Sequence, residues 1–218
     1  MREFFDPFQA ALHARMETFE ASGHLGECTF ERDNGLVPQI RHARSYVAHW
    51  NEMRQRGLGL LFWGPPGNGK TYAAACIASH FAFSQERFAP GVIMTTFGII
   101  LRRSLAQSPQ EREQYIDKLT NCDLLVLDDF GMERQTEYAR EQVFNIINGR
   151  YLNGLPMVIT TNLTLQQMKN PETMAEKRVF DRVLETCVPV YFDGESLRTA
   201  RAAENLKFYR NLTETADA

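Results

Sequence analysis

Eight consecutive residues carry the sharpest chemistry in this chain. Gly64, Pro65, Pro66, Gly67, Asn68, Gly69, Lys70 and Thr71 satisfy the pattern G-x-x-x-x-G-K-[ST] in full. They follow an apolar run, Leu60-Leu61-Phe62-Trp63, and open a helical stretch from Ala73 to His80. That strand–loop–helix setting is the one the pattern requires. Gly67 and Gly69 let the main chain curl so that successive N–H groups point inward as an anion nest. The dipole of the following helix adds positive potential at the same spot. Lys70 is then placed to reach the β- and γ-phosphates of a nucleotide, and Thr71 to offer its hydroxyl to Mg²⁺. The bland alternative is a Gly/Pro turn between a strand and a helix. From average residue usage, a chance match in a chain of this length has odds of about one in a hundred, before the setting is counted.

A second apolar run, Leu124-Leu125-Val126-Leu127, ends in Asp128 and Asp129. The distance from Lys70 leaves room for an intervening strand–helix–strand passage. A carboxylate at the end of an adjacent buried strand is what Mg²⁺ needs on its far side. Asp128 is therefore assigned to the metal, mostly through its water shell, and Asp129 to polarising the attacking water. Many P-loop ATPases place Glu at that second position. The shorter Asp points to slower hydrolysis, or to help from Glu133. Standing alone, an Asp-Asp pair is as readily a strand terminator.

Three further positions fit the same site. Met157–Thr161 reads as a buried strand ending in Asn162, where an amide side chain can bond the γ-phosphate or its water and so report ATP against ADP. The alternative is a turn-forming Asn capping the next helix, a task Thr164 can perform instead. Arg178 and Arg182 lie four apart and share one helix face. An exposed arginine there can reach a neighbouring subunit's γ-phosphate as a finger, whereas the plain reading is a solvated basic helix. Arg198, in Gly194-Glu195-Ser196-Leu197-Arg198, is placed to contact the phosphates in cis, or sits on a surface turn.

The elements that position these residues are legible as a change of style at Leu58. Short apolar runs at 58–63, 92–95, 124–128, Met157–Thr161 and 188–192 alternate with helices starting near Lys70, Phe97, Thr136 and Leu165. Near-continuous apolar runs mean strands buried on both faces, as in a parallel sheet. In the helix over 136–152, Val143, Ile146, Ile147 and Tyr151 point inward. Five strands with covering helices predict a doubly wound, three-layer αβα domain, an α/β fold. Upstream, Phe5, Phe8, Leu12, Met16 and Phe19 line one face of a helix from Asp6 to about Ala21. Cys28-Thr29-Phe30 suggests a short strand, and a helix over 38–56 shows Ile40, Ala43, Val47 and Trp50 as its apolar stripe, with Gly57 ending it. The division expected is an N-terminal helix and linker over 1–37 and an ATPase domain over 38–218.

Composition narrows the function classes. The 218 residues suffice for one α/β domain with small appendages, and 44% hydrophobic with 23% charged residues is ordinary for a globular protein. A net charge of −3 means that any nucleic-acid contact must come from a local basic patch. Cys28, Cys76, Cys122 and Cys187 are scattered, with no C-x-x-C pair, so no zinc site is expected. Unpaired cysteines point to a reducing, cytoplasmic setting. No stretch approaches the roughly 18 apolar residues of a membrane span, and Glu3 and Asp6 interrupt the N-terminus where a signal peptide has its apolar core.

Taken together, the motifs at 64–71, 124–131, 160–164, 178–182 and 194–198 resemble the DnaC-like branch of AAA+ ATPases. That branch holds bacterial and phage helicase loaders and the related IstB-type transposition helpers. The likeness runs from about Phe30 to Arg198. It implies Walker A at 64–71, Walker B at Asp128 and Asp129, sensor 1 at Asn162, an arginine finger at Arg178 or Arg182 (Arg178 preferred) and sensor 2 at Arg198. The tail after Asp193 is too short for the three-helix lid of most AAA+ proteins, a reduction similar to that of the DnaC branch. About forty residues precede the ATPase region, fewer than in many cellular loaders and without metal-ligand spacing. The family binds single-stranded DNA through helices after the second strand. Here that implies Arg102 and Arg103, with Thr96 or Phe97 beside them, although Glu111, Glu113 and Asp117 dilute the charge. The N-terminal Phe-rich helix either packs on the chain's own core or docks in a groove of the partner.

The function this implies is ATP- and Mg²⁺-dependent loading of a DnaB-type replicative ring helicase onto single-stranded DNA, with self-association through the ATP site and no membrane. The rival within the family is an IstB-type helper of transposition. A small-molecule P-loop kinase is a further rival, but it needs an arginine-rich lid and an acceptor pocket, and neither is legible.

Overall fold

The apolar runs form five parallel strands in the computed structural model, which describes residues 18–20, 23–35, 37–84, 89–131, 137–194 and 196–216. They are β1 (Gly59–Trp63), β2 (Val92–Thr96), β3 (Leu124–Phe130), β4 (Met157–Thr161) and β5 (Cys187–Tyr191), in the sheet order β2-β3-β4-β1-β5. Every pairing is parallel. The helices described are α1 (Ile40–Ala48), α2 (Trp50–Gln55), α3 (Lys70–Ala82), α4 (Phe97–Ala106), α5 (Pro109–Asn121), α6 (Glu137–Leu152), α7 (Leu165–Lys169), α8 (Met174–Thr186) and α9 (Leu197–Ala216).

Strand side chains alternate between two cores, as a period of two demands. Leu60, Phe62, Met94, Val126 and Val158 pack with α1 and α3 on one face. Leu61, Ile93, Leu125, Leu127 and Ile159 pack with α4, α5, α6 and α8 on the other. The result is the three-layer αβα sandwich that the runs predict. β1 lies between β4 and β5, so the chain leaves β1 at a point where strand order reverses. In parallel sheets a crevice opens there, beyond the carboxyl ends of the strands. No described helix is long and apolar enough to cross a membrane.

Arg150 has no sequence signature, yet its side chain is fully buried. Its Nη1 donates to the carbonyl oxygens of Leu119 at 2.8 Å and Cys122 at 2.9 Å, and its Nη2 to that of Pro156 at 2.7 Å. It thus supplies donors to carbonyls at the end of α5, which a helix terminus cannot satisfy internally. It also ties α5 to the amino ends of β3 and β4, at the sheet edge opposite the nucleotide loop.

Four local expectations are corrected. Residues 28–30 form no strand; short 3-10 turns at Gly23–Glu27 and Phe30–Arg32 take their place. The helix over 38–56 is two helices, broken at His49 (φ −114°, ψ 30°), and Tyr46 rather than Val47 is buried beside Ile40, Ala43 and Trp50. A helix not anticipated, α5, starts on a capping box in which Ser108 and Glu111 bond each other's main-chain N–H. Phe19 does not continue a helical stripe: it bridges Met94 at the free edge of β2, with the Glu20 N–H donating to the Met94 carbonyl at 3.0 Å. Phe5, Phe8, Leu12 and Met16 lie outside the described residues, as does Glu133.

Candidate nucleotide site

The loop between β1 and α3 is shaped by what surrounds it. Gly64 has φ +136°, and a Cβ there would stand 2.3 Å from the main-chain oxygen of Phe192. Gly67 has φ +89°, and a Cβ there would stand 2.1 Å from Ser196 Oγ. Both positions therefore admit only glycine without a shift. The loop is also fastened to the chain after β5: Asn68 Nδ2 donates to the carbonyls of Phe192 (3.4 Å) and Gly194 (3.1 Å), and the Leu197 N–H to that of Gly67 at 3.0 Å. The Asn68 side chain thus serves the loop's attachment rather than a ligand.

The start of α3 is left open for an anion. α4, α5, α7 and α8 each begin on a side-chain cap, from Thr96, Ser108, Thr164 and Thr173. α3 begins on Gly69 in the left-handed region with no side-chain cap. Its first N–H groups and its dipole therefore face the loop's hollow. Lys70, 6% exposed, donates from Nζ to the carbonyls of Gly64 (2.8 Å) and Pro65 (2.6 Å). Burial holds its ammonium below the ordinary lysine value. Asp129 and Asp128 draw it back up, and Arg198 presses it down. Electrostatically, then, the loop lysine, both acidic residues and Arg198 share one neighbourhood.

Asp128 is 6% exposed and accepts two hydroxyls at the same oxygen: Thr71 Oγ1 at 2.9 Å and Thr160 Oγ1 at 2.6 Å from Oδ1. Burial raises its carboxyl above the usual aspartate value, the two hydroxyl bonds oppose the rise, and the nearby Asp129 adds to it. Asp129 is exposed and has φ 59°, the only non-glycine residue with positive φ among those described. Thr160, which opens the 160–164 motif but has no role assigned from the sequence, takes the Asp129 N–H at 3.0 Å. Its signal in the sequence was only a hydroxyl two positions before Asn162.

Asn162 is half-buried at the end of β4. Thr164, not Asn162, caps α7, so the capping alternative for Asn162 falls away. Arg198 is exposed in the first turn of α9. Arg178 and Arg182 are separated by environment. Arg182 donates to the Arg178 carbonyl and lies over the rings of Phe144 and Tyr151, with its carbon 5.2 and 5.4 Å from their centroids. Arg178 is exposed, and among the described residues its side chain has no hydrogen bond or ion pair. It lines a cavity of about 950 Å³ with Phe130, Phe144, Glu176 and Phe180, to which the loop residues 64–71 contribute nothing.

The residues read as a nucleic-acid contact are also divided. Arg102 is exposed. Arg103 pairs with the buried Glu20 carboxylate at 3.3 Å and covers the ring of Tyr115, whose hydroxyl donates to the same carboxylate at 2.7 Å. Phe97 is buried and Thr96 is occupied as a cap.

These residues fit a nucleotide triphosphate with one divalent cation. The uncapped helix start and the glycine-only loop have the shape and polarity suited to phosphate. Thr71 and Asp128 are the protein donors next to it. No cluster of three His, Cys, Asp or Glu among the described residues makes a metal site by itself, so a cation here would need phosphate oxygens as well, the usual habit of Mg²⁺.

Comparison with known proteins agrees. The replicative helicase loader DnaI of Bacillus subtilis (strain 168) is 27% identical over 176 residues, covering 76% of this chain and 55% of that protein. A putative insertion sequence ATP-binding protein of Sinorhizobium fredii is 26% identical over 198 residues, covering 88% of this chain and 65% of that protein. This chain thus spans just over half to two-thirds of the length of these relatives. The crystal structure of DnaI superposes with a TM-score of 0.64 over 84% of this chain and 98% of that one, at 23% identity. The fold is accordingly the one seen in DnaI. The profile described as IstB-like ATP binding protein matches residues 9–205. With that match over nearly its whole length, and with the loop geometry above, the chain belongs to the family of IstB-like ATP binding proteins.

Proposed function

We propose that this protein is a Mg²⁺-dependent ATPase that loads a DnaB-type replicative ring helicase onto single-stranded DNA. The observation that carries the ATPase part is the meeting of Thr71 and Asp128, 2.9 Å apart at the open start of α3. When bound, Mg²⁺ supplies charge neutralisation across the β- and γ-phosphates. The chain's own residues do the rest. Lys70 exchanges its two loop carbonyls for phosphate oxygens. Thr71 and Asp128 hold the cation from the protein side. Asp129 orients the attacking water, and Asn162 reads the γ-phosphate position. Arg198 faces the phosphates from the same subunit, and Arg178, without a side-chain hydrogen bond or ion pair among the described residues, enters the site of a neighbour.

Helicase loading is favoured over the transposition role by the DnaI relative; the insertion-sequence relative supports the rival. Within the element over 1–37, helicase docking is assigned to the residues before Phe19, since Phe19, Phe30 and Val37 pack in the domain core, and Arg102 is assigned to the DNA strand. The deciding experiment is a pull-down of the host's replicative helicase in ATP and in ADP, with Lys70→Ala as control. Capture that depends on nucleotide and fails with Lys70→Ala is expected. Failure to capture helicase, together with filament formation on duplex DNA, would transfer the assignment to the transposition role.

A further inference from the structure

β3 and β4 pair in regular register through Leu125, Val126 and Leu127 against Met157, Val158 and Ile159. The next matched pair is Phe130 with Thr161. Three steps along β3 therefore answer two along β4, a bulge in which Asp128 and Asp129 together oppose Thr160. In a regular strand, neighbouring side chains point to opposite faces. Here the left-handed turn at Asp129 breaks that alternation, and both carboxylates act electrostatically on Lys70.

The bulge has a cost. A left-handed residue with a Cβ is disfavoured by roughly 1 kcal/mol or more, and a bulged strand leaves a main-chain N–H without its ladder partner. One group meets both needs. Thr160 Oγ1 accepts the Asp129 N–H at 3.0 Å and donates its own proton to Asp128 Oδ1 at 2.6 Å. A hydroxyl has one donor and two acceptor positions, so a single side chain performs both tasks. Thr160 is 1% exposed and does not face solvent or ligand space.

We infer that Thr160 is the positioning residue of the acidic pair, one hydroxyl that aims the Asp128 carboxylate and fixes the turned backbone of Asp129. This rests on the reading of Asp128 and Asp129 as the cation and water residues. Thr71 alone cannot replace it, because Thr71 bonds only the Asp128 carboxylate, whereas Thr160, in the central sheet, bonds both that carboxylate and the Asp129 N–H. A valine or serine at 160 separates shape from chemistry. Valine keeps the branched outline and lacks the hydroxyl; serine keeps the hydroxyl.

The test measures equilibrium binding of ADP and ATP by calorimetry, in EDTA and in Mg²⁺, together with steady-state hydrolysis, on the full chain. In Thr160→Val, affinity in EDTA is expected to stay at the wild-type level. The gain in affinity that Mg²⁺ confers should fall by about 10- to 100-fold, and in Mg²⁺ kcat should fall while KM rises with the weakened binding, in line with the loss of a group that orients a metal-site carboxylate. Thr160→Ser should recover both. If Thr160→Val does not fold by circular dichroism, Thr160→Ala takes its place. A hydroxyl-free variant with wild-type Mg²⁺ gain and kcat overturns the inference, as does a serine variant as impaired as valine. Absence of nucleotide affinity in the wild type in either buffer would instead overturn the nucleotide reading itself.

Discussion

Arg182 donates to the main-chain oxygen of Arg178 across 2.8 Å, one turn along α8. The same guanidinium rests on Phe144 and Tyr151 of α6. Of two arginines on one helix face, one is thus spent on packing and the other is left outward. Arg178→Ala should leave ATP affinity unchanged and reduce turnover in the assembled complex by about 10³-fold, the lower range for an arginine acting in trans. Arg182→Ala should instead lower stability by about 1–2 kcal/mol through lost cation–π contact. Phosphate-release assays with helicase present and thermal denaturation of each variant check this; the opposite pattern would exchange the two roles.

The contrast shows what a sequence can and cannot convey. The loop at 64–71 and the strand bounds were legible because each signal is local: glycines, a lysine and runs of Leu, Val and Ile. The start of α5, although not anticipated, has a signal just as local, the capping box of Ser108 and Glu111 with Pro109 between them. Thr160 and Arg150 were not legible. The first acts across a one-residue register shift between two strands, and the second answers carbonyls from two separate segments, 119–123 and Pro156. Arg182 against Phe144 is likewise a matter of which helix lies opposite.

Asp128 allows a prediction in pH. Burial raises its carboxyl in the folded protein, so the native state holds that proton more tightly than the unfolded chain does. The stability it contributes is complete below the unfolded-state value and is lost as pH rises through the raised value. Asn at this position keeps an oxygen for the hydroxyls of Thr71 and Thr160 and has no charge to desolvate. Asp128→Asn is therefore expected to melt at or above the wild-type temperature near neutral pH, with the difference shrinking toward acid, while Mg²⁺-dependent nucleotide affinity disappears. Thermal scans from about pH 4 to about pH 8 read the first effect and calorimetry the second. A variant less stable than wild type at neutral pH would contradict it.

Arg102 and Arg103 separate in a similar way. Arg102→Ala should weaken single-stranded DNA binding and reduce the salt slope by about one. Arg103→Ala should act on stability, because among the described residues it leaves the Glu20 carboxylate, 3% exposed, with only the Tyr115 hydroxyl; about 1–3 kcal/mol is expected for such a loss. Fluorescence anisotropy against salt concentration and urea unfolding distinguish the two. Equal losses of DNA affinity in both variants would show that Arg103 leaves Glu20 to meet DNA.

The N-terminal segment must be cut with Phe19 and Glu20 in mind. Both belong to the folded domain, one against Met94 and the other against Tyr115 and Arg103. Deleting residues 1–17 removes Phe5, Phe8, Leu12 and Met16 and keeps these two. The shortened chain should bind ATP normally and fail to capture helicase in the pull-down. Undiminished capture would place the helicase contact elsewhere on the domain.

The bond from the Leu197 N–H to the Gly67 carbonyl has a mechanical meaning. It roots α9 on the tip of the loop that closes around phosphate. Twenty residues of helix make an arm of about 30 Å, along which Leu206, Phe208 and Tyr209 are exposed. A tilt of about ten degrees at the root displaces the far end by about 5 Å. The loop tip and the root of this exposed helix are thus one mechanical unit, with Leu206, Phe208 and Tyr209 on its outer length.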